Sequence, residues 1–103
     1  MKNTLEKISQ EKNVEELKEF CVLNDKCIRD CLLTDYLSTV LFLFGRYCET
    51  GEIDVEQDDD NAIWCYRRVI DLNVNSEEVC GAQEGLTRIN GWRHKIFVKQ
   101  QKY

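Results

Sequence analysis

The sequence predicts an all-α fold, a small bundle of about five helices that contains an antiparallel hairpin. Three observations lead there. The 103 residues include no proline and only five glycines, which favours helices with short connections over a sheet with many tight turns. Apolar residues recur at helical spacing through most of the chain. Capping residues stand where one periodic stretch gives way to the next.

The elements follow in order. Asn3 with Glu6 forms a capping box for a first helix carrying Leu5 and Ile8, and Asn13 with Glu16 repeats the signature. Val14, Leu17, Phe20 and Cys21 then share one stripe, and Leu23, Asn24 and Asp25 break it. From Lys26 to about Tyr47 the apolar positions again have helical spacing. Leu33, Leu37, Leu41 and Phe42 make that helix apolar nearly all round, which marks the central, buried one. Gly51 to Asp60 is a polar bend. Asp60 is the expected N-cap of the next helix, with Asp58 and Asp59 near its positive end. Ala62, Trp64, Tyr66, Val69 and Ile70 carry that helix to about Leu72. Ser76 is expected to cap another helix, whose first turn holds Glu77 and Glu78 and which stops at Asn90–Gly91. A last short helix is expected from Trp92 onward.

Length and composition bound the rest. Residues 1–103 make one domain, and 43% apolar residues suffice for a single modest core. The longest apolar run, Val40 to Phe44, is far too short for a bilayer, and the charged N-terminus has no apolar signal region, so a cytoplasmic protein is expected. Net charge is −5 but polarised: residues 1–60 hold seven Lys/Arg against fifteen Asp/Glu, and residues 61–103 hold seven against four. Such polarity can orient a partner at long range.

Six cysteines stand at 21, 27, 31, 48, 65 and 80 without any C-x-x-C pair. With no secretory context and mostly apolar neighbours, they read as reduced core residues. Cys21, Cys27, Cys31 and the lone His94 are the one combination that could hold a metal or do redox chemistry. The expectation is no metal and no cofactor.

The bend from Glu52 to Asp60 concentrates six carboxylates: Glu52, Asp54, Glu56, Asp58, Asp59 and Asp60. A calcium loop starting at Asp54 would need Gly at its sixth position and Glu at its twelfth, where Asp59 and Cys65 stand. A helix bend fits better. Phe44-Gly45, Gly51, Val55-Glu56-Gln57-Asp58, Ala62, and then Trp64, Tyr66, Val69 and Ile70 stand close to the pattern L-G-x-x-Y-x-x-G, V-x-x-D, A-x-x-W-Y. Residues 36–72 therefore resemble one Sel-one-like repeat, a branch of the tetratricopeptide-type helical repeats, and Ala82 and Leu86 resemble the start of a second. Tyr47 comes one position early, and Trp64 and Tyr66 straddle the family's aromatic pair. The resemblance implies a helical-repeat-like hairpin and a protein-binding role. Gly45 would allow close helix approach, Gly51 would supply a positive φ, and Ala62, Trp64 and Tyr66 would pack the second helix.

No nucleophile elbow, phosphate loop or dinucleotide fingerprint occurs, and no catalytic residue is predicted. The expected function is non-enzymatic: a module that grips a protein partner stoichiometrically, with the six carboxylates of the bend as candidate contacts. The alternative is an acidic inhibitor, a toxin-immunity or phage anti-defence protein that occupies a nucleic-acid-binding surface. Direct nucleic-acid binding is disfavoured by the net charge, although "WRHKIFVK" is basic and aromatic.

Overall fold

A computed structural model describes residues 2–24, 31–51 and 55–101, with side chains for residues 3–23, 33–51 and 55–91. These residues form five α-helices, and no strand occurs among them: α1 (Lys2–Glu11), α2 (Val14–Asn24), α3 (Cys31–Thr50), α4 (Asp59–Leu72) and α5 (Ser76–Gln101). The all-α expectation holds. No helix among the described residues is long and apolar enough to cross a membrane.

Helices α1 and α2 meet at a corner built from two residues. Lys12 takes a left-handed φ of 53°, which turns the chain and lets the Asn13 N–H donate to the Ile8 carbonyl at 3.4 Å. Asn13 Oδ1 then accepts the Glu16 N–H at 3.1 Å, so Asn13 closes one helix and caps the next. The expected cap at the first helix is different: α1 already includes Lys2, which places Asn3 inside its first turn.

Helix α3 is central, packing on α1, α4 and α5. It buries Leu33, Leu37, Val40, Leu41, Phe44 and Cys48, and leaves Leu43 39% exposed. Its expected start at Lys26 lies outside the described residues. Its end runs one turn past Tyr47, to Thr50, because Gly51 supplies the stop. Gly51 has φ 72° and its N–H donates to the Tyr47 carbonyl at 2.7 Å.

The bend after α3 is tied back to it. Val55 is buried, and the Asp58 N–H donates to the Cys48 carbonyl at 2.8 Å. That bond holds Asp58 extended (φ −154°, ψ 105°), so Asp58 is the N-cap of α4 and its Oδ1 accepts the Asn61 N–H at 3.1 Å. The expected cap, Asp60, lies instead in the first turn with Asp59, where both carboxylates face the positive helix end. Helix α4 returns antiparallel to α3. Cys48 meets Asp58 near the bend, and Tyr66 lies beside Gly45 and Phe42 further along.

Asn73 ends α4 in the left-handed region (φ 48°), and its N–H donates to the Val69 carbonyl at 3.1 Å. The next cap is Asn75, not Ser76. Asn75 Oδ1 accepts from the Glu77 and Glu78 amides at 3.0 and 3.1 Å. Helix α5 then continues through Gly91 to Gln101, where two helices were expected. Gly91 lacks the positive φ a stop would need, and no proline follows it. The buried apolar side chains of all five helices form one cluster.

Candidate functional site

Tyr66 is where α3, α4 and α5 converge. Its side chain is fully buried. A Cβ on Gly45 of α3 would stand 2.6 Å from its ring, and one on Gly85 of α5 would collide with the opposite edge. The ring therefore fills a slot that two glycines open. Phe42 fills a second notch at Gly81, where a Cβ would stand 2.7 Å from its ring, and the two rings lie 6.2 Å apart. Gly81 and Gly85, one turn apart on α5, let that helix lie directly on the aromatic surface.

A polar chain closes the same junction. The Tyr66 hydroxyl donates to Glu49 Oε1 at 2.7 Å. Arg88 donates through Nε to Glu49 Oε2 at 2.8 Å and through Nη2 to Oε1 at 3.0 Å. This two-pronged pairing and the tyrosine bond hold the Glu49 carboxyl below its ordinary range. Burial, with the adjacent carboxylate, pushes the Tyr66 phenol up. The proton therefore stays on Tyr66 and Glu49 stays ionised, a locking arrangement rather than a proton relay. On the other side of Glu78's turn, Ser38 and Thr39 donate to the two Glu78 oxygens at 2.8 and 2.7 Å and fix α5 parallel to α3.

Of the expected structural residues, Gly45 lies against the Tyr66 ring, Gly51 ends α3 at the bend with φ 72°, and Ala62 is fully buried. Trp64 is half-buried, with Lys18 Nζ and the Arg68 guanidinium 5.7 and 5.8 Å from its ring. Sequence reasoning missed Glu49, Arg88 and the Gly81–Gly85 pair. The glycine spacing is visible in the sequence, but the rings that fill it, Phe42 at Gly81 and Tyr66 at Gly85, come from 39 and 19 positions away.

The acidic bend adjoins this junction, with Gln57 and Asp59 lining one small pocket together with Glu49 and Arg88. Glu56, Asp58 and Asp60 are exposed, while Asp59 is half-buried and accepts from Gln57 Nε2 at 2.7 Å. Glu52 and Asp54, the other two expected contacts, lie outside the described residues. Folding adds acids from elsewhere. The α1–α2 corner brings Glu11 and Glu15 beside Glu56 and Asp58, around a groove of about 420 Å³ that also takes in Lys12. Nothing in the sequence linked these positions, which are over forty residues apart.

Among the described cysteine side chains, Cys21, Cys48 and Cys65 are buried, one from each of α2, α3 and α4, and Cys80 is exposed. Burial pushes the Cys48 thiol up to about 11 and raises Cys65 as well, with further opposition from Cys48 and Cys21. These are packing thiols, unsuited to nucleophilic work. Cys27 and the side chains of Cys31 and His94 lie outside the described residues. Among the described residues no group of three His, Cys, Asp or Glu is arranged to hold a metal ion.

Comparison with known proteins finds no matching family model, no similar curated protein and no similar solved structure. The five-helix, all-helical architecture is compatible with a helical-repeat-like fold.

Proposed function

We propose that this chain is a non-enzymatic, cytoplasmic interaction module. Its Sel-one-like hairpin, α3–α4, serves as the scaffold, and a basic protein partner docks at the acidic corner. One observation carries the reading: the groove where Glu11 and Glu15 of the α1–α2 corner meet Glu56 and Asp58 of the bend. Exposed carboxylates at such a corner cost little fold stability and speed the approach of a positively charged partner. The Tyr66 junction supports it by fixing the hairpin that presents the bend.

The test is affinity capture from source cells at low and moderate salt, comparing the wild type with a Glu11→Lys, Glu56→Lys variant, whose positions line the groove at the C-terminal end of α1 and in the bend. The expected result is a specific, salt-sensitive partner that the variant loses while its thermal midpoint stays near the wild type's. Recovery of the same proteins by both forms would sink the proposal.

A second reading is favoured by the same groove. Several carboxylates around one concavity can imitate a nucleic-acid backbone, as an immunity or anti-defence inhibitor would. In that case the captured partner is itself a nucleic-acid-binding protein, and added DNA or RNA displaces the chain from it. A partner indifferent to nucleic acid removes this version and leaves the first.

A further inference from the structure

Another open groove among the described residues lies between α1 and α2, apart from the acidic corner. It has a volume of about 480 Å³ and a floor containing Ile8 and Phe20. Leu23 lies at its edge with 72% of its surface exposed, and the neighbouring Val22 is 70% exposed. Those two are consecutive, and among the described residues only Leu43 joins them as a large exposed hydrophobic. Lys7 stands on the α1 side, and Glu16 and Glu19 stand on the α2 side. An apolar floor beside two carboxylates suits a helix whose apolar positions are flanked by bases.

The chain contains one such helix. Helix α5 runs parallel to α3, with Glu78 beside Ser38 and Arg88 beside Glu49. At that register α3 ends, at Thr50, level with the Ile89–Asn90 turn of α5. The helix continues to Gln101, eleven more residues or about 16 Å at the rise of an α-helix. In sequence this extension places Trp92, Ile96 and Phe97 at helical spacing among Arg93, Lys95 and Lys99, and no acid follows Glu84.

We propose that the C-terminal extension of α5 from a second copy of this chain occupies the α1–α2 groove. A copy cannot fill its own groove this way. Helix α5 overruns α3 at the end of the molecule where the bend and the Lys12–Asn13 corner meet. Leu23 lies about 15 Å from that corner along α2, and α5 is continuous. Reciprocal docking between two copies closes the contact as a dimer. Charge complementarity selects this occupant: Glu16 and Glu19 face a segment whose only charges are positive. The inference uses none of the residues of the acidic corner and stands apart from the function proposed there.

The experiment is sedimentation equilibrium of the full chain at low and high salt. The wild type should approach twice the 12.2 kDa chain mass as concentration rises, with weaker association in high salt. Leu23→Glu should weaken the dimer at least about tenfold, since a charge would enter an apolar contact. It should leave helix content unchanged, because Leu23 is exposed. Glu16→Lys with Glu19→Lys should weaken it, as should Lys95→Glu with Lys99→Glu, and combining all four should restore it. Restoration cannot come from a chain that has unfolded, so the combined variant separates lost contact from lost fold. A monomer at every concentration, a dimer insensitive to Leu23→Glu, or no restoration by the combined variant overturns the proposal.

Discussion

The Tyr66 hydroxyl donates to Glu49 Oε1 at 2.7 Å while the Tyr66 ring fills the slot between Gly45 and Gly85. One side chain thus joins three helices, by shape along its ring and by charge-assisted hydrogen bonding at its tip. Arg88 completes the tip from α5. Loss of any member leaves the others with an unmet requirement: an empty slot, a buried hydroxyl, or an ionised carboxylate with fewer donors.

Removing the hydroxyl tests the tip. Tyr66→Phe keeps the ring in its slot and deletes one donor to an ionised carboxylate that Arg88 still holds. The expected cost is about 1–2 kcal/mol, near the low end for hydrogen bonds to charged groups. Urea unfolding at neutral pH measures it, and an unchanged midpoint would show that the bond contributes nothing.

The same junction sets the acid limb of stability. The Glu49 carboxyl is held below its ordinary value of 4.5, first by the Arg88 hydrogen bonds and then also by Tyr66. A depressed folded-state value means that its contribution is whole above pH 4.5 and is lost as pH falls through the lowered value. Glu49→Gln should therefore be less stable than wild type at neutral pH and should lose less on going from pH 5 to pH 3. Parallel pH profiles for the two proteins would contradict this.

The glycine slot makes a prediction of sign. Glycine to alanine inside a helix ordinarily stabilises by about 0.5–1 kcal/mol. That gain is expected at Gly91, where a Cβ meets nothing within 4 Å. At Gly45 and Gly85 the same change drives a methyl into the Tyr66 ring and should destabilise by about 1–3 kcal/mol. Thermal melts of the three alanine variants decide it, and three changes of one sign would rule out the slot.

Capping separates neighbours that look alike in sequence. Asp58→Ala should cost about 0.5–2 kcal/mol and Asp58→Asn much less, because Asn also caps. Asp60→Asn should be close to neutral. Asn75→Ala should cost about as much as Asp58→Ala, and Ser76→Ala little. Calcium should leave the thermal midpoint of the wild type where it is, since a site present only in the folded state would raise it.

These pairs show what the sequence made legible. The all-α class followed from composition and periodicity, which are local, whereas the hairpin with Gly45, Gly51 and Tyr66 stood out through the resemblance to a helical repeat. The caps were misplaced by one or two residues. Asp58, Asp59 and Asp60 are equivalent locally, and the bond that selects Asp58 comes from Cys48 on another helix. Gly91 reads as a stop, but only its backbone angle decides between stop and passage. Glu49 and Arg88 are ordinary charged residues until folding brings them within 2.8 Å, 39 positions apart. The acidic corner was half legible: the bend acids are contiguous, whereas Glu11 and Glu15 join them only through the α1–α2 turn.

The buried thiols give the alkaline limb. Cys48 is raised by burial from 9.0 to about 11, and Cys65 is raised by burial together with its cysteine neighbours. Tyr66 is raised from 10.0, also chiefly by burial. A raised folded-state value means that the neutral form is favoured in the fold. Each contribution is therefore whole below the unfolded value and is lost as pH rises through the folded one. Stability should accordingly hold to about pH 9 and fall above it, the Cys48 share fading between pH 9 and 11. Cys48→Ala should flatten that part of the profile, apart from a pH-independent cost for the cavity it leaves. Thiol labelling gives an independent check. In a variant with Cys27, Cys31 and Cys80 changed to Ser, the remaining three thiols should react only as fast as the protein opens, and denaturant should release them together. Prompt labelling of the native variant at pH 8 would mean that Cys21, Cys48 and Cys65 are not core residues, and the junction of α2, α3 and α4 would have to be redrawn.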